Sequence, residues 1–142
     1  MIGVGDRVVV GVAHLLQRAT ALGTSTAAGD AAECGQYGTG TQTTGTVRIV
    51  RDIVDEVRGR DVLLVDDILE SGFTLSFAKN LLKERGARKV WVCTLLDKPS
   101  ARTTPASADY TGFTIPDVYV VGYGLDAAGK HRELPYVASL NA

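Results

Sequence analysis

The sequence predicts an α/β protein with a mainly parallel sheet flanked by helices. Unbroken apolar runs, such as Val62-Leu63-Leu64-Val65 and Val118 to Val121, mark strands buried on both faces. Apolar residues at helical spacing follow two of the strands: Leu15, Leu16, Ala19 and Leu22, then Leu75, Ala78, Leu81 and Leu82. A chain of 142 residues, 45% hydrophobic and 22% charged, fits one domain with a real core. Strands alternating with helices place such a sheet under helical cover on both faces.

Taken in order, Arg7 to Val12 is a core strand. The helix after it runs from about Leu15 and stops at Gly23. From Thr24 to Gly45 the chain is rich in Gly, Thr, Ser and Ala, and predicts a mobile loop or a poorly formed strand. Val47, Ile49 and Ile53, with Arg48 and Arg51 between, predict a strand with one solvated face. The chain turns at Gly59 and enters the central strand, which ends at Asp66-Asp67. A helix follows from about Thr74 to Arg85, closed by Gly86. Lys89 to Leu96 is the next strand, leading through Asp97-Lys98-Pro99 into a Ser/Thr/Pro-rich loop to Ser107. Tyr110 to Phe113 is a short strand, Ile115-Pro116-Asp117 a turn, and Val118 to Val121 another buried strand. A polar loop from Gly122 to Glu133 precedes a last edge strand, Val137 to Leu140.

Composition narrows the function. A formal net charge of −1 argues against a general nucleic-acid or membrane-surface binder. No stretch reaches the ~20 apolar residues of a membrane span. Val8 to Val12 with Leu15 and Leu16 resembles a signal peptide only faintly, because Asp6 precedes it and His14 interrupts it. Cys34 and Cys93 are too few for a disulfide framework. Reduced thiols in a cytoplasmic protein are the expectation.

The most informative stretch is Val62 to Thr74, VLLVDDILESGFT. A buried strand carries two carboxylates and opens into a small loop of Glu70, Ser71, Gly72, Phe73 and Thr74 before a helix. Open α/β sheets bind ligands at that place, outside the carboxyl ends of their strands. Gly72 lets backbone approach a bound group, and helix-start N–H groups with the Ser71 and Thr74 hydroxyls suit a phosphate. The loop lacks the Gly-Lys-Ser/Thr of a Walker A motif and the Gly-x-Gly-x-x-Gly of dinucleotide folds. A plainer reading has Asp66 and Asp67 capping a strand and Ser71 opening a helix. The full pattern resembles the signature of type I phosphoribosyltransferases. That resemblance implies a loop holding the 5-phosphate of phosphoribosyl pyrophosphate, with Asp66 and Asp67 facing the ribose hydroxyls and Mg²⁺ nearby.

A second constellation narrows the resemblance. Leu95-Leu96-Asp97-Lys98-Pro99, the run from Ile115 to Asp126, and Arg132-Glu133-Leu134-Pro135-Tyr136 occur in this order. They are similar to the purine-site motifs of bacterial hypoxanthine-guanine phosphoribosyltransferases, from about Thr46 to Leu140. The expected fold is then the type I phosphoribosyltransferase fold with a reduced hood, in one domain whose residues 1–45 diverge. By resemblance, Lys98 donates to O6 of a 6-oxopurine, the Tyr119 ring stacks on the base and Val120 reads its edge. Asp126 joins Asp66 and Asp67 as a metal ligand beside the purine, Arg132 clamps pyrophosphate, and Tyr37 with Gly38 belongs to the family's mobile loop. Without the resemblance, Lys98 and Arg132 read as surface cations, Tyr119 as an edge-strand aromatic and Asp126 as a turn cap.

Glu70 stands where the family usually has aspartate, assigned as the base that exchanges a proton with N7. The family's Leu-Lys-Gly turn is replaced by Ala13-His14-Leu15, its Ser-Tyr pair by Gln36-Tyr37, and the segment before the first strand is short. The expected function is purine salvage on hypoxanthine or guanine, with phosphoribosyl pyrophosphate as donor, in a homodimer or homotetramer. The rival expectation is a non-catalytic nucleotide-binding or regulatory protein, or an inactive truncated fragment.

Overall fold

The structure, a computed structural model, describes residues 7–12, 31–36, 47–51 and 56–140. The main sheet comprises β1 (Arg7–Val12), β2 (Ala31–Gln36), β3 (Val47–Arg51), β4 (Asp61–Leu69), β5 (Lys89–Asp97) and β6 (Tyr110–Thr114). Their order is β3-β2-β1-β4-β5-β6, and only the β2–β3 pairing is antiparallel. This matches the mainly parallel sheet that the apolar runs predict.

β4 owes its place between β1 and β5 to its side chains. Val62 lies beside Val8 and Val90, and Leu64 beside Val10 and Val92. Val62, Leu64, Val10 and Val92 are all buried. Helix α1 (Phe73–Glu84) lays Leu75, Ala78 and Leu82 against this layer. Full burial of one such leucine contributes ~1.5–3 kcal/mol. Gly86, at φ 87°, ends the helix as expected. Its N–H donates to the Lys83 carbonyl at 2.9 Å, and the Ala87 N–H donates to the Leu82 carbonyl at 3.1 Å, which satisfies the last turn.

The structure corrects several expectations. β4 does not end at the acidic pair but runs on to Leu69, because Ile68 and Leu69 continue the ladder opposite Leu96 and Asp97. Residues 31–36, expected within a loop or a poorly formed strand, form β2 between β1 and β3. Ala31, Ala32 and Gly35 give little strand propensity, so the ladder to its neighbours sets this segment. The predicted buried strand from Val118 is instead β7 (Tyr119–Val121), paired antiparallel with β8 (Ala138–Leu140) in a separate small sheet. Of β7, Val121 alone is buried, because among the described residues nothing covers the outer face of this two-stranded ribbon. β6 is an edge strand with every position exposed. Ile53, the helix expected from Leu15 to Gly23, and the Ala13-His14-Leu15 turn lie outside the described residues.

Candidate active site

The carboxyl ends of β4 and β5 hold the site together. The Lys98 N–H donates to the Leu69 carbonyl at 3.0 Å, so the residue after β5 is fixed beside the residue before Glu70. Lys98 then turns inward and is only 4% exposed. A buried ammonium requires partners, and Lys98 has two carboxylates. Its Nζ donates to Glu70 Oε1 at 2.7 Å and lies 3.8 Å from Asp117 Oδ1.

These groups open onto a cleft of about 200 Å³. One wall carries Asp67, Ile68, Glu70 and Lys98; the other carries Tyr119, Val120, Gly124, Leu125, Asp126 and Arg132. Sequence motifs that lie up to 65 positions apart, from Asp67 to Arg132, therefore meet in one place. β7 supplies the second wall because its exposed face turns Tyr119 outward.

The two aspartates of β4 differ. Both are buried, and of the two Asp67 lines the cleft. Burial pushes the Asp66 carboxyl well above the usual aspartate range, and the neighbouring Asp67 charge pushes the same way. Asp66 Oδ1 accepts the Asp67 N–H at 3.0 Å, and Asp67 Oδ1 accepts the Ile68 N–H at 2.8 Å.

The loop after β4 is shaped by the chain itself. Ser71 Oγ accepts the Phe73 N–H at 3.3 Å, and the Ser71 carbonyl accepts the Thr103 and Thr104 N–H groups at 3.1 and 2.9 Å. Gly72 opens α1 at φ 85°, a left-handed conformation that favours glycine. A Cβ there would lie 2.6 Å from the Thr104 carbonyl oxygen and 2.8 Å from Ala106 Cβ. The close approach that Gly72 permits is thus with residues 102–106. The glycine is thus required by the chain's own packing, whatever group the loop receives. Ser71 precedes α1, Phe73 and Thr74 are its first residues, and none of the three lines the cleft.

On the far wall, Asp126 pairs with Arg132 at 2.7 Å and accepts the Gly129 N–H at 2.6 Å. The Tyr119 hydroxyl donates to the Asp126 carbonyl at 3.1 Å, which ties the exposed ring to the same loop. Arg132 also donates to the Gly124 carbonyl at 3.3 Å.

With this geometry, similarity to known proteins becomes decisive. The model of the phosphoribosyl transferase domain matches residues 8–128. The chain belongs to the phosphoribosyl transferase domain family. It is 48% identical over 111 residues to the bifunctional protein TilS/HprT of Listeria innocua, covering 78% of this chain and 17% of that protein. It is 45% identical over 111 residues to the hypoxanthine-guanine phosphoribosyltransferase of Bacillus subtilis, covering 78% of this chain and 62% of that one. The chain therefore spans less than two thirds of the length of either relative. The crystal structure of a hypoxanthine phosphoribosyltransferase from Staphylococcus aureus superposes with a TM-score of 0.83 at 36% identity, covering 96% of this chain and 76% of that chain.

Family membership gives the donor set a test. Mg²⁺ in phosphate-handling sites keeps several waters and takes one or two carboxylates plus substrate oxygens. Among the described residues no cluster of three or more metal-ligating side chains exists, so an all-protein cage is absent there. Asp67 and Asp126, both at the cleft, fit the sparser arrangement, and Asp66 adjoins Asp67 without lining the cleft. Tyr37 and Gly38 lie outside the described residues. Sequence reading missed Asp117, which lies near the buried lysine, and Arg102. The Arg102 guanidinium pairs with Asp97 and donates to the Glu70 carbonyl at 2.9 Å. The Asp117 signal was present in the Ile-Pro-Asp turn; Arg102 sits in a Ser/Thr/Pro-rich loop whose path no periodicity reveals.

Proposed function

We propose that this chain carries the site of a hypoxanthine-guanine phosphoribosyltransferase of purine salvage. The observation that carries the reading is the 2.7 Å contact of buried Lys98 with Glu70 inside a cleft that Tyr119 also lines. A 6-oxopurine offers an acceptor at O6 and a proton at N7 side by side on one edge. Lys98 and Glu70 offer the complementary donor and acceptor. Tyr119, 55% exposed and among the cleft-lining residues, supplies a flat ring for stacking.

In the reaction, N9 of the base forms a bond to C1 of the ribosyl group as the bond from C1 to pyrophosphate breaks. The electron pair of the broken bond leaves with pyrophosphate. Glu70 takes the N7 proton, so the purine ends neutral as IMP or GMP. Loop residues Glu70 to Thr74, with Gly72 opening α1, hold the 5-phosphate, and Arg132 is the cation for the leaving pyrophosphate. Asp67 and Asp126 would hold Mg²⁺, which neutralises pyrophosphate charge when bound. The cytoplasm, where both substrates occur, is the proposed location, and a homodimer or homotetramer the proposed assembly.

The test is a spectrophotometric assay of the purified chain with phosphoribosyl pyrophosphate, Mg²⁺ and each of hypoxanthine, guanine, xanthine and adenine. Turnover of hypoxanthine or guanine with little of adenine is expected, since a lysine gives an exocyclic amine no acceptor. Monophosphate binding without turnover of any base would replace the enzyme with a nucleotide-binding protein. Equal turnover of adenine and hypoxanthine would remove Lys98 from base recognition.

A further inference from the structure

We infer that Arg102, which lies outside the cleft, is a positioning residue for Glu70. Its guanidinium reaches in two directions. Nη1 donates to the Glu70 carbonyl at 2.9 Å, and Nη2 pairs with the Asp97 carboxylate. Asp97 is the last residue of β5 and immediately precedes Lys98. One planar group therefore ties the backbone of Glu70 to the strand end that presents Lys98. Arg102 is 17% exposed and Asp97 20%, so water competes little for that pair, which anchors the guanidinium as it reaches the more exposed Glu70 carbonyl.

The placement is specific to arginine in two ways. The fork serves a carbonyl and a carboxylate at once, which the single ammonium of lysine does not reproduce in the same geometry. The stem of the side chain also packs on the loop: its Cδ lies 3.0 Å from where a Cβ on Gly72 would sit. The neighbouring Thr103 and Thr104 N–H groups bond the Ser71 carbonyl from the same side. The Glu70 side chain is half exposed, and its own contact in the cleft is with Lys98. Its carboxylate is therefore aimed by the backbone beneath it, and Arg102 holds that backbone.

The inference rests on the proposed reaction for its kinetic test and on the loop alone for its physical one. Arg102→Lys keeps the stem on Gly72, and Arg102→Ala removes it. In the full chain, misplacement of the proton acceptor by ~1 Å is expected to lower kcat ~10–100-fold. KM for phosphoribosyl pyrophosphate and the Kd for the nucleoside monophosphate are expected to move less than ~3-fold, because the phosphate loop retains its bonds to residues 103 and 104. In a Glu70→Gln background the Arg102→Lys effect on kcat is expected to vanish, since the group being aimed is gone. An equal loss of kcat in both backgrounds, or a loss confined to monophosphate affinity, overturns the inference. If the unsubstituted chain shows no turnover, the proposed reaction fails and the second measurement decides. Amide hydrogen exchange at residues 70–73 is then expected to quicken in Arg102→Lys while amides of β4 and β5 keep their protection. Unchanged exchange in that loop overturns the role of Arg102 independently of any activity.

Discussion

The contact between Lys98 and Glu70 is asymmetric, and removing its two ends should have unequal effects. The Lys98 side chain is 4% exposed and that of Glu70 is 51% exposed. Lys98→Met deletes the buried charge and leaves a carboxylate that water already reaches. The pair then counts much as an exposed one, worth ~0–1 kcal/mol, and the desolvation cost of the ammonium disappears with it. The expected change in unfolding free energy is within ~1 kcal/mol of zero. Glu70→Ala instead strands the ammonium, with Asp117 at 3.8 Å as its remaining carboxylate. Stranding one partner of a fully buried pair costs ~3–5 kcal/mol. Water entering the half-open side should reduce this to ~2 kcal/mol, about a 1 M fall in urea midpoint at an m-value near 2 kcal/mol/M. Urea unfolding of both variants beside the unsubstituted chain measures the difference. Equal losses, or a larger loss for Lys98→Met, would refute the claim that burial of the lysine governs this contact.

Asp66→Asn should stabilise the chain increasingly as pH rises. The folded-state carboxyl is raised above its unfolded value, so the stability it supports is complete below the usual aspartate range and is lost as pH climbs through the raised value. The advantage of the amide should grow from about pH 4 with a slope of at most ~1.4 kcal/mol per pH unit, measured by unfolding in chelator; a difference that stays flat to pH 8 would contradict it. Gly72→Ala meets both a left-handed backbone and the Thr104 carbonyl at 2.6 Å, and should cost ~2 kcal/mol or more in thermal unfolding; a neutral substitution would mean that the 102–106 segment does not lie on the loop. Tyr119→Leu should raise KM for the base ~10-fold through lost stacking, while Tyr119→Phe, which loses only the hydroxyl bond to Asp126, should raise it less than ~3-fold. Equal KM values for the two would take the ring out of base binding.

Legibility of the fold followed the strength of the local signal. β4 and α1 were plain because valine and leucine run unbroken in one, and Leu75, Ala78 and Leu82 share a face in the other. β2 was hidden because Ala31, Ala32 and Gly35 carry no pattern, and its place is set by neighbours distant in sequence. Val118 to Val121 misled for the opposite reason. An apolar run reports affinity for burial but does not say whether a helix or sheet arrives to cover it, and for β7 none does among the described residues. At the site, Asp67, Lys98, Tyr119, Asp126 and Arg132 were legible from residue type and motif, and the cleft gathers them. What composition could not give was the hidden half: which aspartate lines the cleft, and which arginine braces the loop. Both depend on register across strands and on the path of a loop without periodicity.

Gly72 shows why this matters to the proposed reaction. In the sequence it reads as space left for a ligand; in the structure that space is filled by residues 102–106 of the same chain. On the proposed reading the loop is therefore shaped before a phosphate arrives, and its ordering cost is met in folding. The same holds for the base edge. Lys98 and Glu70 satisfy each other at 2.7 Å, so the lysine is paired inside a nearly closed position. On the proposed reading an entering 6-oxopurine exchanges this single contact for two, from Lys98 to O6 and from N7 to Glu70. Neither side chain has to be found and ordered at that moment. The longer reach of glutamate suits this exchange, since its flexible stem lets the carboxylate leave the lysine and follow N7. That same stem is poorly aimed when left alone, so a glutamate here depends on the rigidity of its backbone, which the Arg102 bridge to Asp97 supplies.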